Sequence, residues 1–171
     1  DPQNHPFPTP SGKIEIFSKR LYDMQHPEIP ALSHYVPAHE GPEDELAKTF
    51  PLQLITWKGK NRANSTQYAN PWLIEAQQQK LWINPQDAQK RGIAQGDTVR
   101  IHNARGICEI PAEVTPRIIP GVVAMQAGAW WQPDAQGIDK GGCANVLSSA
   151  RITALAKGNS HQTMLVEVAK A

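Results

Sequence analysis

The stretch LWINPQDAQKRGIAQGDTVRIHNARGICEIPAEVTPRIIPGVV, residues 81–123, decides the fold. Leu81-Trp82-Ile83 reads as a strand. Asn84-Pro85-Gln86-Asp87 then starts a helix. Asn caps it, Pro takes the first helical position, where a missing N–H costs nothing, and Asp in the first turn favours the helix dipole. The helix runs to about Arg91 and stops at Gly92. Ile93 returns the chain to the core, and Gln95-Gly96-Asp97 turns it. Thr98–His102 alternates, with Val99 and Ile101 inward, and Asn103-Ala104-Arg105-Gly106 makes a hairpin turn. In the returning strand Cys108, Ile110, Ala112 and Val114 share the inner face, while Glu109, Pro111 and Glu113 face out. Ile119-Pro120-Gly121 turns once more, into Val122-Val123-Ala124-Met125. The fold class that follows is mainly β with short helices, built as a barrel-like core.

The bulk composition agrees. The chain has 171 residues, 40% of them apolar, with 15 prolines. That length suits one domain with a real core, and the proline content suits a loop-rich fold rather than a helical bundle. A net charge of +1 supplies no field to draw in nucleic acid or an anionic membrane. No apolar run approaches the roughly 18 residues of a membrane span, so no direct membrane insertion is expected. No charged-then-apolar leader opens the sequence, and it starts at Asp1 rather than Met, so it reads as a piece of a longer protein. Cys108 and Cys143 lack metal-type spacing; they read as buried free thiols, with a disulfide as the alternative.

Nine of the 15 prolines precede residue 52. Residues 1–50 therefore read as a Pro-rich lead-in, and residues 51–171 as the barrel domain. Within the lead-in, Lys13–Phe17 alternates and reads as a short strand, with Ile14 and Ile16 on one face. Ser18 caps a short helix over Lys19–Met24. Residues 25–51 read as a polar loop without secondary structure, wrapped on another surface. Its His26, His34 and His39 match no ligand spacing and read as structural or exposed, so no metal site is expected.

Pro51–Trp57 is an apolar strand that feeds a polar loop, Lys58–Gln67, with three cations and a dense set of amides and hydroxyls. Such a loop suits an anionic, heteroatom-rich ligand, because cations meet phosphate while amides and hydroxyls satisfy ring donors and acceptors. A solvated surface turn is the plainer alternative. Asn70-Pro71-Trp72 opens another short helix. Further on, Trp130-Trp131 reads as core or interface filler, or as a wall beside a flat ligand. Met164–Val168 is the closing strand. Walker A and GxGxxG patterns are absent, as are HExxH and a Ser-His-Asp arrangement. Asp97-Thr98 is followed by Val99, not by the Gly of an aspartic protease, and no Gly-Ser bond exists for self-processing. None of these motifs supplies a catalytic residue.

The segment NPQDAQKRGIAQGDTVRI, followed by RG, EV and PRIIPGVV, resembles the closing domain of molybdopterin oxidoreductases of the dimethyl sulfoxide reductase type. Lys140–Leu147, KGGCANVL, and Leu155–Thr163, LAKGNSHQT, are similar to two further elements of that family in the same order. The resemblance spans residues 12–171. It implies a double-psi β-barrel that helps hold molybdopterin guanine dinucleotide. Carried over by position, it implies cofactor contacts from Trp57, Lys58, Arg62, Ser65 and Thr66, then Asn145, then Asn159 and Gln162. Two positions depart from the pattern: Asn64 stands where His is usual, and Ser148-Ser149 replaces a Thr pair.

The same resemblance implies a parent enzyme of anaerobic respiration that reduces S-oxides or N-oxides at molybdenum, on the periplasmic side of the inner membrane. Its 4Fe-4S cluster and metal ligand would lie in other domains of the same chain. Its partners would be an iron–sulfur electron-transfer subunit and a membrane anchor subunit. The 171 residues alone are expected to be inactive and to bind the dinucleotide weakly or not at all. The alternatives are a stand-alone double-psi barrel that binds protein or peptide, and the tail of a formate dehydrogenase or nitrate reductase.

Overall fold

A computed structural model of the chain describes residues 1, 3–160 and 162–171; Pro2 in the lead-in and His161 in the LAKGNSHQT element lie outside the described residues. Six strands close into one barrel: β1 (Leu52–Trp57), β2 (Leu81–Ile83), β3 (Thr98–His102), β4 (Ile107–Val114), β5 (Val122–Gln126) and β6 (Met164–Lys170). Around the barrel they run β1-β5-β2-β4-β3-β6. β1 pairs in parallel with β5 and β2 with β4, while the other neighbours are antiparallel. The two parallel pairs, each reached by a crossover rather than a tight turn, are the arrangement expected of a double-psi β-barrel.

The inner face of every strand is apolar, while β5 and the start of β6 are covered on both faces. Leu52, Leu54, Leu81, Ile83, Val99, Ile101, Cys108, Ile110, Ala112, Val123, Met125, Met164, Val166 and Val168 are buried in one cluster. The register matches inward residue to inward residue, for example Leu54 with Val123 and Ile101 with Val168. A slip of one residue would turn each set out to water, so the pattern fixes the register.

The expected helix at residue 85 forms as Pro85–Lys90, labelled α3 here after α1 (Lys19–Met24) and α2 (Pro71–Ala76). Asn84 caps it by accepting from the Gln86 N–H and also donates to the Ile118 carbonyl at 2.7 Å. Asp87 does more than favour the dipole: its buried carboxylate accepts from the Gly121 N–H at 2.7 Å and pins the Pro-Gly turn before β5. Asn70 and Ser18 cap α2 and α1 as expected.

The chain divides into two compact units, residues 1–37 with 154–157, and residues 38–153 with 158–171. In the first, Lys13–Phe17 forms no strand. Ile14 and Ile16 are 74% and 77% exposed, and only Phe17 bridges, to Leu32. Alternation alone does not make a strand where no neighbour supplies the hydrogen bonds. α1 buries no residue.

In the second unit, residues 38–50 depart from the expected featureless loop. They contain a 3-10 turn at Glu45–Lys48 and the buried Glu40, which is 2% exposed. Arg105 in the β3–β4 turn donates to both Glu40 oxygens, at 2.6 and 2.8 Å, and to the Leu147 carbonyl. Leu165 N–H donates to the same carboxylate. Glu109 does point out of the barrel, but it is buried between Arg100 and Lys140, which both pair with it. Those two cations hold its carboxyl below the usual carboxylate range, Lys140 more than Arg100. Cys108 and Cys143 are both free thiols. Cys108 is a core residue whose thiol burial pushes up, while Cys143 is half-buried.

Candidate functional site

The parallel pairing of β1 with β5 sends both strands to the same end of the barrel, where Trp57 lies opposite Gln126. The polar loop 58–67 and the turn after β5 therefore leave side by side. Two contacts tie them at the root: Ala127 N–H donates to the Trp57 carbonyl at 2.9 Å, and the Gln126 amide donates to Asn61 Oδ1 at 2.9 Å. Higher up they touch backbone to backbone. Gly128 has φ +89°, and a Cβ there would lie 1.9 Å from the Asn64 carbonyl oxygen. Only glycine fits that approach. Asn64 itself takes φ +53°, a conformation that Asn tolerates better than most residues.

Between these two loops and the 3-10 turn Ala144–Val146 lies a cavity of about 230 Å³, lined among others by Thr56, Asn64, Ser65, Gly128, Cys143 and Asn145. Lys58 reaches its edge by donating to Asn64 Oδ1. The turn that carries Asn145 is held from below by Asp139. Its fully buried carboxylate accepts from the N–H groups of Gln132, Gly141 and Cys143, at 2.8, 3.1 and 2.7 Å.

Ser65 and Asn145, from separate expected elements, thus meet at one cavity. Thr66 sits in the same loop, its N–H on the Ala63 carbonyl and its side chain exposed. Arg62 stands behind the loop. It donates to Gln79 and lies 5.1 Å from the centre of the Tyr68 ring, with its Nε buried and unpartnered. Burial lowers the Arg62 guanidinium below its ordinary value, the Tyr68 hydroxyl countering in part. No carboxylate pairs with it among the described residues.

Asn159 and Gln162 line a neighbouring depression of about 310 Å³ together with His39. The Gln162 amide is engaged on Thr56: its oxygen accepts from the Thr56 N–H at 2.8 Å, and its nitrogen donates to the Thr56 carbonyl and hydroxyl. Thr56 therefore joins the two depressions, and neither it nor Gly128 stood out in the sequence. A glycine two residues beyond an apolar strand, at the start of GAWW, was the available signal for the second. Trp57 turns elsewhere. It stacks on Trp82 at 4.8 Å along a larger, mostly apolar groove, and its Nε1 is buried without a partner.

The donor set at the cavity is chemically consistent. Amides and a hydroxyl face it, one lysine reaches its edge, and behind it an arginine lacks an anion. That set fits a ligand with phosphates and heteroatom-rich rings, which is the character of a molybdopterin dinucleotide. Among the described residues no group of three His, Cys, Asp or Glu is placed to hold a metal ion, and no helix is long and apolar enough to cross a membrane.

Comparison with known proteins points the same way. Residues 52–165 match the family described as the molydopterin dinucleotide binding domain. The chain is 52% identical over 178 residues to dimethyl sulfoxide reductase DmsA of Escherichia coli, and 38% identical over 180 residues to trimethylamine-N-oxide reductase of Haemophilus influenzae. Each match takes in 99% of this chain and 22% of the relative, so the chain spans about a fifth of the length of these relatives. Among solved structures, acetylene hydratase from Pelobacter acetylenicus superposes with a TM-score of 0.76 at 18% identity, over 95% of this chain and 24% of that one, a likeness of fold.

Proposed function

Because the chain belongs to the family of molydopterin dinucleotide binding domains, we propose that it holds molybdopterin guanine dinucleotide as the carboxy-terminal domain of a longer molybdenum oxidoreductase. The observation that carries this is the meeting of Ser65 and Asn145 at one cavity beside β1, with Lys58 at its edge and an anion-less Arg62 behind. Residues 51–171 are the cofactor-holding unit and residues 1–50 a lead-in to it. The bound group would supply oxygen-atom transfer at molybdenum, acting on S-oxides or N-oxides, the substrates in the names of the relatives.

The work of this chain's own residues is binding and orientation. Lys58 and Arg62 neutralise phosphate, with Thr66 and Ser65 donating hydroxyls beside them. Asn145 and Asn159 offer amides to ring heteroatoms. Gln162 fixes Thr56, and so the end of β1, from which the loop departs. Trp57 and Trp82 shape the adjoining groove. No side chain here performs chemistry, so the 171 residues alone are inactive. The molybdenum ligand, the 4Fe-4S cluster, the electron-transfer subunit, the membrane anchor and a periplasmic setting belong to the parent.

The test uses the longer protein with Ser65→Ala and Asn145→Ala together. Guanine nucleotide released by acid from the purified enzyme is expected to fall well below one equivalent, with the fold intact by circular dichroism. Undiminished nucleotide content would overturn the assignment of this site.

A further inference from the structure

Trp130 is half exposed, yet its indole is tied down at this end of the barrel. Its Nε1–H donates to the Ser65 carbonyl at 3.0 Å, a residue that itself lines the cavity. One face of its indole lies against the Tyr68 ring, with centroids 5.8 Å apart and planes 32° apart. Tyr68 is buried, with the Arg62 guanidinium on its ring, and its hydroxyl donates to the Gly141 carbonyl at 2.9 Å. Gly141 in turn presses on the backbone of Trp130, where a Cβ would come 2.1 Å from the Trp130 carbonyl oxygen. Arg62 and Trp130 thus both lie against the Tyr68 ring, and half of the Trp130 surface stays open to solvent.

The neighbouring Trp131 supplies the contrast. It is 62% exposed, against 50% for Trp130, and makes no hydrogen bond or ring contact recorded among the described residues. An exposed indole held to Ser65, beside the polar cavity that Ser65 and Ala129 line, is a preorganised contact. Its conformational cost is already met, and an uncovered face this apolar favours a flat ring over water.

We infer that the outer face of Trp130 is the stacking platform for a flat fused heteroaromatic ring of the ligand, so that ring and phosphate bind at neighbouring places. This rests on the proposed function. A guanine and a pterin share the required chemistry, a planar bicyclic ring with lactam and amine groups.

The test is a titration of the longer protein, prepared without its cofactor and with labelled tryptophan, with GDP, neopterin and inorganic pyrophosphate as separate probes, followed through the indole Nε1–H resonances in NMR spectra. GDP or neopterin is expected to move the Trp130 resonance upfield by ring current, and which of the two does so identifies the ring. Trp130→Ala is expected to weaken that probe about tenfold, as loss of one base–aromatic stack does. Trp130→Phe should stay within about threefold of the parent, as should Trp131→Ala, and pyrophosphate should bind all forms equally. Equal binding of the ring probes to Trp130→Phe and to folded Trp130→Ala, or no binding of either ring while pyrophosphate binds, overturns the platform. Failure of pyrophosphate to bind as well overturns the reading of the site, and the platform with it.

Discussion

Two arginines in this barrel do opposite things. Arg105, in the β3–β4 turn, has its charge matched inside the chain: Glu40 takes it bidentately, and the Leu147 carbonyl accepts from its Nε and Nη2. Arg62, behind the polar loop, has an aromatic ring, one neutral amide and a buried Nε with no partner. A paired buried charge of the first kind is self-sufficient, and removing either partner leaves the other stranded. A guanidinium of the second kind is lowered by its burial and lacks only an anion. The difference separates the part of the molecule that holds the fold closed from the part that we propose is kept ready for a ligand.

The largest expected effect breaks the self-sufficient side. Arg105→Ala should destabilise the fold by about 2–4 kcal/mol in urea titrations, because the buried Glu40 carboxylate loses its guanidinium and keeps only the Leu165 N–H and the nearby His39 ring. Next comes the seam between the two loops. Gly128→Ala asks an L-residue to take φ +89° and drives a Cβ onto the Asn64 carbonyl, so a loss of about 1–3 kcal/mol is expected, with the loop 58–67 displaced in NMR spectra. Arg62→Gln sharpens the contrast with Arg105: stability should change by less than about 1 kcal/mol, while pyrophosphate affinity falls about tenfold, the worth of one charge-assisted contact.

The smallest effect is one of pH. The Glu109 carboxyl is held low by Lys140 and Arg100, so the folded state binds its proton less readily than the unfolded chain does. The stability this gives is complete above the ordinary carboxylate range and is lost as pH falls through the depressed value. Melting temperatures of the parent and Glu109→Gln should therefore differ at pH 7 and converge on acidification.

Much of the barrel was legible in the sequence because its signals are local. Asn84-Pro85 announces a cap, and residues 98–114 alternate through a tight turn, so helix, hairpin and inner faces can be read within a few residues. The failures share a different cause. Lys13–Phe17 alternates as well as β3 does, but strand pairing depends on a partner that the pattern does not name. Glu40 finds Arg105 at a separation of 65 residues, and Gln162 finds Thr56 at 106, with no periodicity to report either pairing. Glu109 was correctly placed outside the barrel, but the cover supplied by Lys140 comes from a loop 31 residues on. In the candidate site the polar types of Lys58–Thr66 were visible at once. The meeting of that loop with Asn145 depends on the parallel β1–β5 pair and on the close backbone approach at Gly128, which only the fold displays.

The measurement that bears most directly on the central claim is an amide NMR titration of the isotope-labelled chain with GDP at millimolar concentration. A half-site already formed at the end of β1 predicts shifts gathered in Lys58–Thr66, Gly128 and Asn145, with the Arg105–Glu40 turn undisturbed. Shifts gathered elsewhere on the barrel would contradict it, whereas none at all would mean that the site is completed only when the other domains of the longer protein close over it.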